Sequence, residues 1–174
     1  MDKKTHLLVD GYNVIHSWPE LRRKLLHNKD GGASAREHLI TEVRSLHDTE
    51  GITATLVFDG KEAQTTIQRP SPEPSFAIIY AAAEKSADGV IESIVAKSAT
   101  PQNFIAVTHD LMIAESLYAL GADTLTPESL KEWINRCTAR QSTKLVRRRR
   151  SINAKWGQRL EIPPSSPPEA SDTP

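Results

Sequence analysis

The chain has 174 residues, a quarter of them charged, with 22 Lys and Arg balanced against 22 Asp and Glu. That length suits about one domain with a real buried core, and no apolar run approaches the roughly 18 residues that a bilayer-spanning helix needs. The lone cysteine, Cys137, excludes an internal disulfide and a cysteine-based zinc framework.

Thr5–Asp10 reads as a first strand. It is entered directly from Met1-Asp2-Lys3-Lys4, without the apolar region of a signal peptide, so a cytoplasmic protein is expected. After an irregular stretch, Ser34-Ala35-Arg36-Glu37 forms a capping box opening a helix to about Glu50, which Gly51 stops. Thr53–Phe58 is a second strand, continuous enough to be buried on both faces. Pro70-Ser71-Pro72-Glu73-Pro74 is a stiff loop, and Phe76–Tyr80 a third strand. Ser86 caps a helix whose apolar Val90, Ile91, Ile94 and Val95 recur at helical spacing, ended by Pro101. Phe104–Thr108 is a fourth strand, Leu111–Leu120 a helix closed by Gly121, and Thr124-Leu125 a short fifth strand. Thr126 as N-cap and Pro127 at the first position start a last helix, from Glu128 to about Arg136 or beyond. Helices of this length between strands imply parallel pairing through right-handed crossovers, hence an α/β fold with a doubly wound, mainly parallel sheet flanked by helices.

The zero net charge conceals an asymmetry. Residues 1–135 hold 13 Lys and Arg against 19 Asp and Glu, whereas residues 136–160 hold nine basic residues and no acid. Three segments follow: a domain over 1–135, a basic and partly helical arm over 136–160, and a Pro/Ser-rich tail over 161–174 expected to be disordered. The arm carries Arg147, Arg148, Arg149 and Arg150 in one run, with Trp156 nearby. Arginine pairs bidentately with phosphate and aromatics stack on bases, so this composition suits RNA; a solvated charge run is the alternative.

Nearly every apolar run that reads as a strand ends in an aspartate: Leu7-Leu8-Val9-Asp10, Leu56-Val57-Phe58-Asp59 and Ile105-Ala106-Val107-Thr108-His109-Asp110, while Asp88 opens a helix. In an open parallel sheet these strand ends face one crevice, the place where ligands bind. Carboxylates gathered there resist ionising together unless a cation sits among them, and hard Mg²⁺ or Mn²⁺ prefers oxygen ligands. Asp10, Asp88 and Asp110 are the first choice as ligands and Asp59 the fourth. Glu92, one turn after Asp88 on the same helix face, is placed to hold a water on the metal. Each has a plainer reading. Asp10-Gly11 and Asp59-Gly60 are ordinary turn dipeptides, Asp88 suits the positive end of its helix, and Asp110 suits an N-cap.

Four segments, Leu8-Val9-Asp10-Gly11-Tyr12-Asn13-Val14-Ile15, Val57-Phe58-Asp59-Gly60, Ser86-Ala87-Asp88-Gly89-Val90-Ile91-Glu92 and Val107-Thr108-His109-Asp110, resemble in order the motifs of the YacP-like NYN-domain ribonucleases, relatives of the PIN-domain nucleases. Together they span about residues 5–135. The resemblance implies a PIN-like fold and metal-dependent endonucleolytic cleavage of RNA, in a family that includes a ribosome-associated endoribonuclease. The chain departs from the family pattern in carrying His109 where Ser or Thr is usual and Ser86 where Thr is usual.

Phosphodiester cleavage needs an activated water and a stabiliser of developing charge, both of which one or two metal ions supply. Asn13 cannot ionise, and reads as orienting Asp10 or a substrate phosphate, or as a satisfied turn residue. Thr108 is a further candidate to bond a metal-held water or a phosphate. Tyr12 and Trp18 are candidates for stacking on an unpaired base, with core packing preferred for Trp18 and Trp133. His16 and His109 are candidate general acids. Arg22, Arg23, Lys24 and Lys61 offer a second RNA-binding surface on the domain itself. Two rival functions remain. A receiver-like phosphoacceptor domain needs an acidic pair at the first strand and a lysine after the fifth, and here Gly11 follows Asp10 while Thr124-Leu125-Thr126-Pro127 has no lysine. A non-catalytic RNA- or ribosome-binding module needs the basic arm but not the acids.

Overall fold

A computed structural model describes residues 5–70 and 74–157, with side chains described as far as residue 143. The chain divides into two units, Met1–Cys137 and Thr138–Pro174. The first holds a six-stranded sheet of β1 (His6–Asp10), β2 (Thr53–Asp59), β3 (Thr66–Gln68), β4 (Phe76–Ala81), β5 (Phe104–Val107) and β6 (Asp123–Leu125). Their order is β3-β4-β2-β1-β5-β6, all parallel except β3, which runs antiparallel to β4. Around it lie α1 (Gly11–Ser17), α2 (Pro19–His27), α3 (Ala33–Glu50), α4 (Ala87–Ala96), α5 (Leu111–Ala119) and the first part of α6 (Pro127–Gly157), a helix that continues past Cys137 into the second unit. This is the expected PIN-like α/β architecture.

The two faces of the sheet explain why its strands lack polar alternation. Leu7 and Val9 of β1, with Ala54, Leu56 and Phe58 of β2, join one core with Val14, Ile15, Trp18, Leu21, Leu39 and Val43 from α1 to α3 and Leu130 and Ile134 from α6. Leu8, Val57, Ile79 and Ala106 point the other way, into a second core with Ile91 and Val95 of α4 and Leu117 of α5. Both faces are apolar, as parallel strands covered by helices require.

Three local expectations are corrected. The stretch after β1, read as irregular, is two helices; Asp10 caps α1, and Pro19 stands at the first position of α2. The capping box at Ser34 is not used: the N-cap of α3 lies two residues earlier at Gly32, in the left-handed region at φ +82°, and the Asp30 carboxylate accepts the Gly32 and Ser34 N–H groups at 2.9 and 3.0 Å. The third correction is β3, an exposed edge strand without an apolar signature. The caps at Ser86, Asp110 and Thr126 are formed as expected, Ser86 Oγ accepting from Gly89 N at 3.1 Å and Thr126 Oγ1 from Ser129 N at 3.2 Å. Part of the Pro70–Pro74 loop, all of the 161–174 tail, and the side chains of Arg147, Arg148, Arg149, Arg150 and Trp156 lie outside the described residues, although the backbone at 147–150 is helical.

Candidate active site

The chain leaves β1 to lay α1 on one face of the sheet and leaves the adjacent β5 to lay α5 on the other, so the β1–β5 boundary is the point where the winding reverses. Ligands of open α/β sheets bind outside the strand ends at such a point. Asp10 closes β1 and Asp110 follows β5 there, while Asp59 closes β2 and Asp88 lies in the first turn of α4.

Each carboxylate has a specific local cause for its position. Asp10 Oδ1 accepts the Asn13 N–H at 3.0 Å, capping α1. Asp59 Oδ1 accepts the Ala87 N–H at 2.7 Å and so fixes the start of α4, the helix that carries Asp88. Asp110 Oδ1 accepts the N–H groups of Met112 and Ile113 at 2.8 and 3.3 Å, capping α5. Three helix N-termini therefore open onto the acidic edge, and their positive ends offset part of the carboxylate repulsion. The glycines beside Asp10 and Asp59 serve close approach and not a turn: neither has positive φ, but a Cβ at Gly11 would run into the Phe58 ring and one at Gly60 into the Ala81 carbonyl oxygen.

The electrostatics single out two members. Asp10 is buried, and its carboxyl is pushed up to about 7, first by desolvation and then by the charge of Asp88, a hydrogen bond with Asp88 and the charge of Asp59; only the Asn13 N–H opposes the rise. Asp88 is also raised, by desolvation and the charges of Asp110, Asp59 and Glu92, against the lowering effect of its hydrogen bond with Asp10. Asp10 and Asp88 therefore resist ionising together in the metal-free protein. The buried Asp88 Oδ1 has no hydrogen-bond partner, an exceptional state for a buried oxygen.

An all-oxygen donor set, raised carboxyls and an orphaned acceptor fit a hard divalent cation. Among the described residues, no three acidic, His or Cys side chains are already gathered at coordinating distance. Asp59 and Asp110 each commit one oxygen to helix N–H groups, so they would present the other to an ion.

The remaining predicted residues take varied places. Asn13 Oδ1 accepts the His109 N–H at 2.8 Å, and Thr108 Oγ1 accepts the Asp110 N–H at 3.1 Å, so both shape the loop carrying Asp110. Glu92 is half-buried one turn beyond Asp88, near enough to raise it. Trp18 is core, its Nε1 donating to the Pro127 carbonyl at 2.9 Å. Trp133 packs, partly buried, against the core. Tyr12 stands edge-on to Phe58 and accepts a hydrogen bond from Arg36 Nη1 at 2.9 Å. Arg22 and Arg23 are exposed on α2, and Lys24 Nζ lies 2.8 Å from His38 Nδ1. His16 is exposed; His109 is also exposed, with Nδ1 3.7 Å from Glu128. Arg36, which the sequence presents only as a helix residue, and Lys61 line a cavity beside Asp59. Arg36 is 24 positions from Tyr12, and no local pattern signals their contact.

Two solved structures of Rae1 (YacP) from Bacillus subtilis, one of them a tryptophan-to-leucine variant, share this fold, each with TM-score 0.66 and 23% identity. The match covers 91% of this chain and 86% of the variant or 85% of the other. No curated protein matches the chain. The family model described as the YacP-like NYN domain matches residues 7–163, a span that takes in all four aspartates and the helices that seat them. The chain therefore belongs to the YacP-like NYN domain family, within the PIN-like nucleases.

Proposed function

We propose that the chain is a metal-dependent endoribonuclease whose site is built on Asp10, Asp88 and Asp110, with Asp59 and Glu92 in support and Mg²⁺ or Mn²⁺ as the cofactor. The observation that carries this reading is the buried, unpartnered Asp88 Oδ1 beside a buried Asp10 whose carboxyl is held well above the ordinary carboxylate range. An ion there would satisfy the orphaned oxygen and relieve the repulsion together. When bound, such ions activate water and stabilise charge developing on a phosphodiester.

The chain's own residues do the rest. Asp10 and Asp88 hold the charge at the switch point, and Asp59 seats Asp88 through the first amide of α4. Asn13 fixes the Asp110 loop against β1. Residues 1–135 carry the chemistry and the basic arm over 136–160 holds RNA, with ribosome-bound messenger RNA in the cytoplasm as the substrate context. Incubating the full chain with labelled RNA, free or on ribosomes, should give cleavage with Mg²⁺ or Mn²⁺ and none with a chelator. Binding without cleavage under every metal condition would leave a silent RNA-binding module.

A further inference from the structure

A cavity of about 410 Å³ lies beside Asp59, between Tyr12 of α1, Arg36 of α3, Lys61 after β2 and Tyr80 of β4. Its volume falls in the range of small-ligand sites, roughly 300 to 1,000 Å³. Its basic groups are unusually disposed. Arg36 Nη1 donates to the Tyr12 hydroxyl at 2.9 Å and to the Gly31 carbonyl at 3.0 Å, both neutral acceptors. A guanidinium has five N–H donors, so three remain on Nε and Nη2. Among the described residues, neither Arg36 nor Lys61 has a carboxylate within ion-pair distance. Three carboxylates line the same cavity: Asp30 spends its oxygens on the Gly32 and Ser34 N–H groups, Asp59 commits one to the Ala87 N–H, and Glu62, next to Lys61 in sequence, forms no ion pair with either cation.

A half-buried arginine held in one pose by two neutral partners, with its outer donors spare, is a prepared receptor for an oxyanion. The aromatic wall suits a base: Tyr12 is set edge-on to Phe58, which stacks on Tyr80 with ring centroids 5.7 Å apart. We propose that this cavity is a nucleotide subsite for single-stranded RNA, in which Arg36 and Lys61 hold a phosphate next to the one at the acidic edge and the Tyr12 and Tyr80 rings flank its base. The subsite rests on the nuclease reading for its meaning, since Asp59 borders both the cavity and the carboxylate cluster. It also explains how an edge so acidic admits a polyanion: the cations stand to one side of the carboxylates, so the strand is gripped before it meets them.

The test is binding of a labelled eight-nucleotide single-stranded RNA to the full chain in chelator, measured across a salt series, for wild type and for Arg36→Gln, Lys61→Gln and the exposed control Lys97→Gln, which lies outside the cavity. Arg36→Gln and Lys61→Gln should each weaken binding about 5- to 20-fold and lower the salt slope by about 0.7, the value for one phosphate neutralised on a single strand. Lys97→Gln should bind as wild type does. Lys61 is exposed, so its variant remains informative if Arg36→Gln fails to fold. Equal affinity and slope in the Lys61 variant, any folded Arg36 variant and the control would overturn the subsite. The assay contains no metal, so RNA that binds through this cavity but is never cut when metal is restored would sink the nuclease reading alone.

Discussion

Asn13 accepts the His109 N–H through Oδ1 at 2.8 Å, a contact between residues 96 apart in sequence that spans the point where the sheet reverses its winding. Through its own N–H the same residue holds Asp10 at 3.0 Å. One side chain and its backbone thus tie the β1 acid to the loop carrying the β5 acid. Asn13→Ala should cost about 1 kcal/mol of stability, as the loss of one hydrogen bond does. RNA cleavage should fall about 10- to 100-fold, the usual effect of losing a residue that orients metal ligands, with KM nearly unchanged. Equal loss in KM would show that Asn13 holds substrate instead.

Asp10 and Asp88 ought to be traded for stability. Each resists ionisation where it stands, so Asp10→Asn should raise the stability of the metal-free protein at pH 8, by about 1 to 4 kcal/mol on the scale of 1.4 kcal/mol per pKa unit. Thermal unfolding in chelator measures this, and a lower melting temperature for the variant would mean that the carboxylate is structural.

The pH dependence has a definite sign. Asp10 is raised in the folded state to about 7, so its contribution is greatest below its ordinary pKa of 3.8 and is lost as pH rises through 7. His6, half-buried at the start of β1 and lowered to about 4 by desolvation, runs the other way: its contribution is present above 6.5 and is lost as pH falls towards 4. The two oppose each other between pH 4 and 6.5 in the wild type. The stability advantage of Asp10→Asn over wild type cancels the His6 effect, and should grow from pH 4 to 7 and then level off. Saturating Mn²⁺ at pH 8 should reduce or reverse it, since only the wild type retains the ligand. An advantage independent of pH would be evidence against a protonated Asp10.

Much of the fold is legible because the sheet is buried on both faces: Leu7 to Val9 and Ala54 to Phe58 form unbroken apolar runs, and the caps at Ser86, Asp110 and Thr126 punctuate them. The missed elements lack such contrast. β3 is three exposed edge residues, and α1 opens with Gly11 and Asn13, residues that argue for a turn. Gly11 is required by the Phe58 ring, 47 positions away, which no local pattern encodes. The acids of the site are visible as strand-end residues, but their division of labour is not. Asp59 and Asp110 are spent partly on helix amides, while burial raises Asp10 and Asp88, distinctions that arise only from packing. Arg36 enters the site region through a tertiary contact with Tyr12 and leaves no trace in sequence.

Variants of the basic arm test whether RNA binding and chemistry are separable. Replacing Arg147, Arg148, Arg149 and Arg150 together by Gln should weaken RNA or ribosome binding and lower the salt slope by about 0.7 to 0.9 for each phosphate that the arm no longer neutralises. The rate on a saturating short RNA should hardly change. An unchanged slope would make the run a solvated surface.

The most direct measurement is single-turnover cleavage of labelled RNA at saturating Mn²⁺ by the wild type and by a folded Asp10→Asn, Asp88→Asn double variant. Cleavage by the wild type, abolished by chelator and absent from the double variant while its RNA binding persists, is the predicted result. Cleavage by the double variant at the wild-type rate would place the chemistry elsewhere and contradict a metal site built on Asp10 and Asp88.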